Sequence, residues 1–317
     1  MKCPICGKES SEILTKHLRR GKGIVYYCTD CNHGMLQPAF DNAVDYYNEE
    51  YRKKFKDAIN EEGEENPEEL FEMRKDYQKD RVRIISDYYD SQKTFLEIGC
   101  SAGMFIDPIY KHFKKVEAIE LSSKCADYVK RRWNIEVYTK TLHELIDYSA
   151  IDRGYDYIGF FQVLEHIENP VEFMMDVRQI TNENGRIFIE IPNLDDPLRV
   201  LWNVPSYETF YYHEAHLSYF SEQSIKRLLE KTGWHIEKIY YLQDYNLLNN
   251  LYWFFNNAPQ PTCEFGLNPP HIQFQEGERI REAGNDINKL LLEMNEEYFR
   301  ILSKYKITSN MFIIAKK

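Results

Sequence analysis

No apolar stretch in the 317 residues approaches the length of about 20 that a membrane-spanning helix needs, so the chain offers no candidate span. Clustered Lys and Arg are also missing, and the formal charge is −11. Proteins that wrap a phosphate backbone draw affinity from cation clusters and counterion release, so nucleic acid is not an expected partner and neither is a membrane. The opening residues MKCPICG have neither the apolar core of a secretory signal nor an Arg- and Ser-rich transit pattern, which makes a cytoplasmic location the expectation. Two phosphate-binding patterns are absent as well. The glycine turn in FLEIGCSAGMFI places Ser101 and Met104 where GxGxxG needs glycine, and no Gly-Lys-Ser/Thr follows it. A dinucleotide or a nucleoside triphosphate held by its phosphates is therefore disfavoured.

What is present begins with cysteine. Four of the seven lie in the pattern C-x2-C-x21-C-x2-C through Cys3, Cys6, Cys28 and Cys31. Two CxxC knuckles present four thiolates to one ion, which closes a tetrahedral zinc shell with no open position. A structural zinc that folds a segment too short for its own core is expected over 1–40, with His17 and His33 as spare donors best read as solvated. Aromatic residues make up 15% of the chain, with 24 Tyr, and such side chains grip flat or polyhydroxylated ligands.

Residues 41–92 are strongly charged and read as a helical lead-in, with Tyr46, Tyr47 and Tyr51 ahead of NEEGEENPEEL and one helix from Pro67 toward Tyr89. From residue 94 strands and helices alternate: FLEIG, MFIDPIYKHF, VEAIEL, SKCADYVKRRW, IEVYT, HELIDYS, YDYIGFFQV, VEFMMDVRQI, GRIFIEIPN. Alternation of this kind implies right-handed βαβ crossovers and a mainly parallel α/β sheet whose ligand lies beyond the strand C-termini. Glu97 stands two residues before the glycine turn, where a carboxylate repels pyrophosphate and suits a cation. S-adenosyl-L-methionine, with a sulfonium, an ammonium and no phosphate, fits that requirement. Glu120, at the end of the next strand, is placed to accept both ribose hydroxyls. Thr141 and Leu142, after the third strand, are placed against the adenine by topology.

These pieces resemble the class I S-adenosylmethionine-dependent methyltransferases over roughly residues 80–245 and again at the C-terminus: LEIGCSAG, AIELS, FFQVLEHIENP, GRIFIEIPN and HLSYFSEQSIKRLLEKTGWHIEKI. The resemblance implies a Rossmann-like seven-stranded methyltransferase sheet with helices on both faces, beside a small zinc-binding segment. It implies cofactor contacts at Glu97, Gly99, Ser101, Ala102, Gly103, Phe105, Glu120, Leu121, Thr141, Leu142 and Gln162. The cysteine segment joined to this core, with YYHEAHLSYFS after the fifth strand, looks like the sugar C-methyltransferases that act on nucleotide-linked keto-sugars, whose Tyr-His-Glu-His signature is interrupted here by Ala215. By that resemblance Tyr212, His213 and His216, together with His166 beyond the fourth strand, are the candidate catalytic residues, with His216 as general base.

The expected domains are a zinc ribbon (1–40), the lead-in (41–92), the methyltransferase core (93–245 and 307–317) and a cap (246–306) whose helix runs from about 276 to 304. The expected acceptor is a small sugar or nucleotide-sugar methylated on carbon or oxygen, in a monomer or dimer. Two other readings stay open: an RNA base methyltransferase gripping RNA with a zinc ribbon, and a cofactor-binding scaffold without turnover. Asp195 and Asp196 offer a weaker divalent-metal pair, best read as a solvated loop.

Overall fold

The computed structural model describes residues 1–19, 22–38, 66–275 and 277–317. Residues 41–65 of the lead-in, with Tyr46, Tyr47 and Tyr51, lie outside the described residues. The N-terminal cysteines flank three antiparallel strands, β1 (Ile13–Thr15), β2 (Gly23–Cys28) and β3 (His33–Pro38). The lead-in helix is broken into α1 (Pro67–Arg74), a 3-10 turn and α2 (Lys79–Ile85). At the break the buried Gln78 donates its side-chain amide to the Arg74 carbonyl at 3.1 Å, a side-chain bond that competes with the helix ladder.

The core sheet follows as β4 (Asp90–Ile98), β5 (Phe113–Ile119), β6 (Glu136–Tyr138), β7 (Tyr155–Phe161) and β8 (Thr181–Pro192), alternating with α3 (Ile106–Ile109), α4 (Ser123–Trp133), α5 (Leu142–Asp147) and α6 (Pro170–Ile180). The helix expected over MFIDPIYKHF is only the short α3, because Phe113 already pairs with Asp90 and is buried as the start of β5. Helix α4 shows how local signals set an element. Ser122 caps its N-terminus by accepting from the Cys125 amide, Asn134 ends it in the left-handed conformation, and Cys125, Ala126, Val129 and Trp133 form its buried face.

Beyond β8 come α7 (Pro197–Val200), α8 (Pro205–Tyr211), the two-residue β9 (Ser218–Tyr219), α9 (Glu222–Lys231) and β10 (His235–Leu242). Three helices, α10 (Leu247–Asn256), α11 (Cys263–Leu267) and α12 (Glu278–Tyr305), precede the last strand, β11 (Asn310–Lys316). The seven-stranded order is β10-β11-β8-β7-β4-β5-β6, with β11 antiparallel to both neighbours and the other pairings parallel. A second sheet, β1-β2-β3-β9, joins the cysteine segment to the stretch after β8. The N-terminal segment is thus not a free-standing ribbon: its last strand pairs Gly34 with Tyr219 and Met35 with Ser218.

Candidate active site

The order of the sheet reverses at β4, and the turn leaving β4 is built around glycine for steric reasons. Gly99 has φ +78, and a Cβ there would sit 2.6 Å from Val163 Cγ2. Its amide donates to the Ile119 carbonyl at 2.7 Å, which folds the loop across the end of β5. Glu120 then accepts from the Ser101 amide (2.8 Å) through one carboxylate oxygen and from the Ser122 amide (2.8 Å) through the other. The ribose acid expected from sequence is therefore held rigidly by both adjoining turns.

A cavity of about 1660 Å³ opens at these strand ends. Of the expected cofactor residues, Glu97, Gly99, Ser101, Phe105, Glu120, Leu121, Thr141, Leu142 and Gln162 line it. Ala102 and Gly103 do not. Ala102 is fully buried, and Gly103 backs onto α4, where a Cβ would meet the Trp133 ring at 2.5 Å. Their role is to let the loop close on α4, not to face a ligand.

Burial pushes the Glu97 carboxyl up to about 8, with Arg81 opposing and Glu120 adding to the rise. One of its carboxylate oxygens is buried without a hydrogen-bond partner among the described residues. A cation entering the cavity would satisfy that oxygen and favour the charged carboxylate. The residues present therefore fit a cationic ligand with a ribose. Glu97 and Glu120 would hold it, while Phe105 and Leu142 supply apolar walls.

Sequence reasoning missed a second polar group on this wall. Arg81, on α2, makes a bidentate pair with Glu190 of β8 at 2.6 and 2.9 Å, and donates to Gln78 at 2.9 Å. Gln162 sits at φ +57 just past β7 and donates to Glu190 (3.2 Å) and Asn310 (3.1 Å). Asn310 donates to Asp244 at 2.6 Å. Arg81, Gln162, Glu190 and Asp244 all line the cavity. No local signal marks Arg81, because its partner lies 109 residues away. The positive φ of Gln162 is equally invisible in a residue letter.

His166, His213 and His216 do cluster, and of these three His166 lines the cavity. Behind it the His216 ring lies 4.8 Å away in an edge-on arrangement, and the His213 ring lies 3.8 Å beyond that. His216 and His213 do not line the cavity, which corrects the expectation that His216 meets the acceptor directly. Tyr212 is fully buried among Val25, Leu36, Leu217 and Tyr219, so its expected catalytic contact is also replaced by a packing role. The cause is the direction of the chain: Tyr212 faces the cysteine-bearing sheet, away from the strand ends.

His166 Nδ1 lies 2.8 Å from the Ala215 carbonyl, which assigns the proton to Nδ1 and leaves Nε2 as the acceptor nitrogen. Burial lowers His166 to about 4, and it lowers His216 well below the ordinary imidazole value, helped by His213 and His166. Glu165, adjacent in sequence and unnoticed there, is almost fully buried, and neither carboxylate oxygen has a hydrogen-bond partner among the described residues. Its Oε1 lies 3.9 Å from Nε2 of both His166 and His216. Burial raises it to about 8. Donor atoms of Glu165, His166 and His216 all fall within 4.8 Å of one another, as do the sulfurs of Cys3, Cys6, Cys28 and Cys31.

The four thiols fit a tetrahedral ion. Cys6 and Cys28 sulfurs are 3.6 Å apart, close to the roughly 3.8 Å edge of a tetrahedron with 2.3 Å zinc–sulfur bonds. Burial pushes Cys3 up to about 11. At Cys6 burial is outweighed by the Lys8 amide and the neighbouring thiols, which bring it down to about 7. Four ionised sulfurs in this space require a cation. His33 is no spare ligand and is not solvated: it is fully buried against the Phe220 ring at 4.9 Å. Asp196 is also no solvated loop residue. It caps α7 by accepting from the Leu198 amide at 2.8 Å, and burial raises it to about 6.

A family described as a methyltransferase domain matches residues 47–239, more than half of the chain. The chain belongs to the S-adenosylmethionine-dependent methyltransferases. The methyltransferase is 23% identical over 103 residues to the mitochondrial ubiquinone biosynthesis O-methyltransferase of Schizosaccharomyces pombe, covering 31% of this chain and 38% of that one. It is 22% identical over 160 residues to the ubiquinone biosynthesis O-methyltransferase of Coxiella burnetii, covering 45% and 67%. The chain thus spans well under half the length of the first of these relatives. Among solved structures, a SAM dependent methyltransferase from Archaeoglobus fulgidus aligns with a TM-score of 0.49 at 18% identity, covering 77% of this chain and 94% of that one. A cyclopropane synthase from Mycobacterium tuberculosis aligns at 0.45 and 14% identity, covering 76% and 84%. Among the described residues of the methyltransferase, no helix is long and apolar enough to cross a membrane.

Proposed function

We propose that this methyltransferase methylates a small polyhydroxylated acceptor, a sugar or nucleotide-sugar, that enters beneath the helices α10 to α12, and that its zinc is structural. The observation that carries the reading is the far side of the cavity. Beyond Gln162 and His166 it is lined by Glu190, Asp244, Asn246, Asn268, Asn295 and Glu296, with Tyr245 and Phe299 beside them. Amides and carboxylates interleaved with aromatic rings match the hydroxyls and apolar faces of a sugar.

S-adenosylmethionine, bound at Glu97 and Glu120, supplies an activated methyl group. The chain's own residues have to align the acceptor, exclude water and receive its proton. His166 is the proton acceptor in this reading, through Nε2, with Nδ1 tied to Ala215 and Glu165 stabilising the imidazolium that forms. As the methyl group passes to the acceptor atom, leaving S-adenosylhomocysteine, the acceptor's proton would pass to His166 Nε2. Cys3, Cys6, Cys28 and Cys31 would hold the zinc.

A second reading, O-methylation of a phenol, draws on the ubiquinone O-methyltransferase relatives. The test is one incubation series with S-adenosylmethionine and nucleotide-sugars, free sugars or catechols, reading S-adenosylhomocysteine and the product by mass. Turnover with a sugar-bearing acceptor is expected. Turnover with catechols alone would replace the first reading by the second.

A further inference from the structure

We infer that the cysteine centre and strand β3 act as the positioning clamp for the His213–His216 segment, so that metal loss disables the histidine end of the cavity while leaving the cofactor end formed. The catalytic role of the histidine end rests on the proposed function, whereas the clamp holds whatever the acceptor.

The segment from Tyr212 to Phe220 has little regular structure of its own, a two-residue strand, yet it is almost wholly buried. Its backbone bonds lead in two directions. Toward the cavity, the Leu217 amide donates to the Glu165 carbonyl at 2.8 Å, and His166 Nδ1 meets the Ala215 carbonyl at 2.8 Å. Toward the N-terminus, the Arg19 amide donates to the Tyr212 carbonyl (2.7 Å) and the Leu36 amide to the Leu217 carbonyl (2.9 Å). The register of β3 with β9 fills the space between these bonds.

The side chains repeat the pattern. Tyr212, Leu217 and Tyr219 share one buried cluster with Val25 and Leu36, backed by Leu14, Leu18 and Tyr27. Most of that cluster's other members therefore come from the cysteine-bearing segment. The second knuckle is bolted to α9, which begins just after β9. Arg227 donates to the Asp30 carbonyl at 3.0 Å and reaches the Cys31 sulfur at 3.5 Å, and Gln223 donates to the same carbonyl at 3.1 Å. From the first knuckle, the Ile5 carbonyl accepts from Lys231 at 2.7 Å.

Three strands and four thiols make too small a unit to fold without the ion. When they unfold, the histidine segment loses a sheet partner, two backbone acceptor bonds and half of its apolar cluster. The hydrogen bonds of the cofactor loop do not pass through that segment: they run to Ile119, Glu120 and Ser122.

Two variants separate the clamp from the metal. Cys28→Ser removes a ligand. Gly34→Val leaves all four thiols intact but breaks the joint, because a Cβ at Gly34 would lie 2.9 Å from Tyr219 Cβ. Hydrogen exchange of the full chain is the readout, with calorimetric S-adenosylmethionine affinity and zinc content measured in parallel. Both variants are expected to speed exchange of peptides spanning 212–220 by at least tenfold and to leave cofactor affinity within twofold. Gly34→Val is expected to retain its zinc. Unchanged protection of 212–220 in both variants overturns the clamp, whatever acceptor the enzyme uses. Loss of cofactor affinity alongside exchange overturns the separation of the two ends. Failure of every acceptor in the turnover series would sink the proposed function and leave the exchange result standing.

Discussion

The two ends of the cavity are built by opposite strategies. The cofactor end is assembled from residues close in sequence: Glu97, Gly99 and Ser101 in one turn, Glu120 some 20 positions on, each bonded to its neighbours across adjacent parallel strands. The histidine end is assembled from distant pieces, with His166 after β7, Ala215 and His216 near β9, and the cysteine-bearing sheet behind them. A short-range site tolerates damage elsewhere, whereas a long-range site depends on every piece that frames it. The electrostatics of the two ends are alike. Both ends hold a buried carboxyl raised to about 8, Glu97 and Glu165, and Arg81 opposes the rise at each, while the neighbouring acid that adds to it is Glu120 at Glu97 and Glu190 at Glu165.

The largest effect expected from separating the ends is at His166. His166→Asn should lower turnover by roughly a hundredfold or more, the ordinary worth of a positioned base, with cofactor affinity unchanged. Steady-state rates and calorimetry check it together, and a variant that loses both would mean that the ends are one cooperative unit.

At the other end, Glu120→Ala should weaken S-adenosylmethionine binding about tenfold or more, because hydrogen bonds to a charged acceptor contribute about 1.5 to 3 kcal/mol each. Protection of the 212–220 amides from exchange should not change. Equal affinity in variant and wild type would remove Glu120 from the cofactor site.

Glu97 sharpens the comparison through pH. With its carboxyl near 8 in the free protein, binding a cation must expel a proton. Affinity should therefore rise severalfold from about pH 7 to pH 9 and level off above that. Calorimetry in two buffers of different ionisation enthalpy should show proton release near pH 7, and Glu97→Gln should abolish it. A pH-independent affinity would contradict the assignment.

The smallest effect concerns Glu222, which ties α9 to the end of α12 through Lys226 and Lys306. Burial opposes its ionisation, but these partners and Tyr241 hold it down to about 2 against an ordinary 4.5. A lowered folded value stabilises the protein above the unfolded value and is lost as pH falls through the window between the two. Glu222→Gln should therefore cost only about 0.5 to 1 kcal/mol at neutral pH, since the group is partly exposed, and the difference from wild type should fade below about pH 3. Denaturant titrations at two pH values would reveal a pH-independent difference if the ion pairs are not responsible.

Much of the fold was legible in the residue order because alternation of buried strands and capped amphipathic helices is a local property. FLEIG, VEAIEL and YDYIGFFQV read directly as β4, β5 and β7, and the final NMFIIAK forms β11, antiparallel between β8 and β10. The placement of Glu97 and Glu120 was legible for the same reason: both stand at strand ends on the cavity, and strand ends are visible in sequence. The shortened α3 was not, since Phe113 chose the sheet over the helix only when Asp90 offered a partner.

The histidine end divides along the same line. That His166, His213 and His216 come together followed from topology, and that Cys3, Cys6, Cys28 and Cys31 come together followed from spacing. Which histidine lines the cavity, that Glu165 is buried between two imidazoles, that Arg81 pairs with Glu190, and that the cysteine segment shares a sheet with β9 were decided only by the tertiary structure. Local patterns specify which face of an element is buried, but the partner of that face is chosen by the packing of segments many residues apart, and no single stretch of the chain carries that choice.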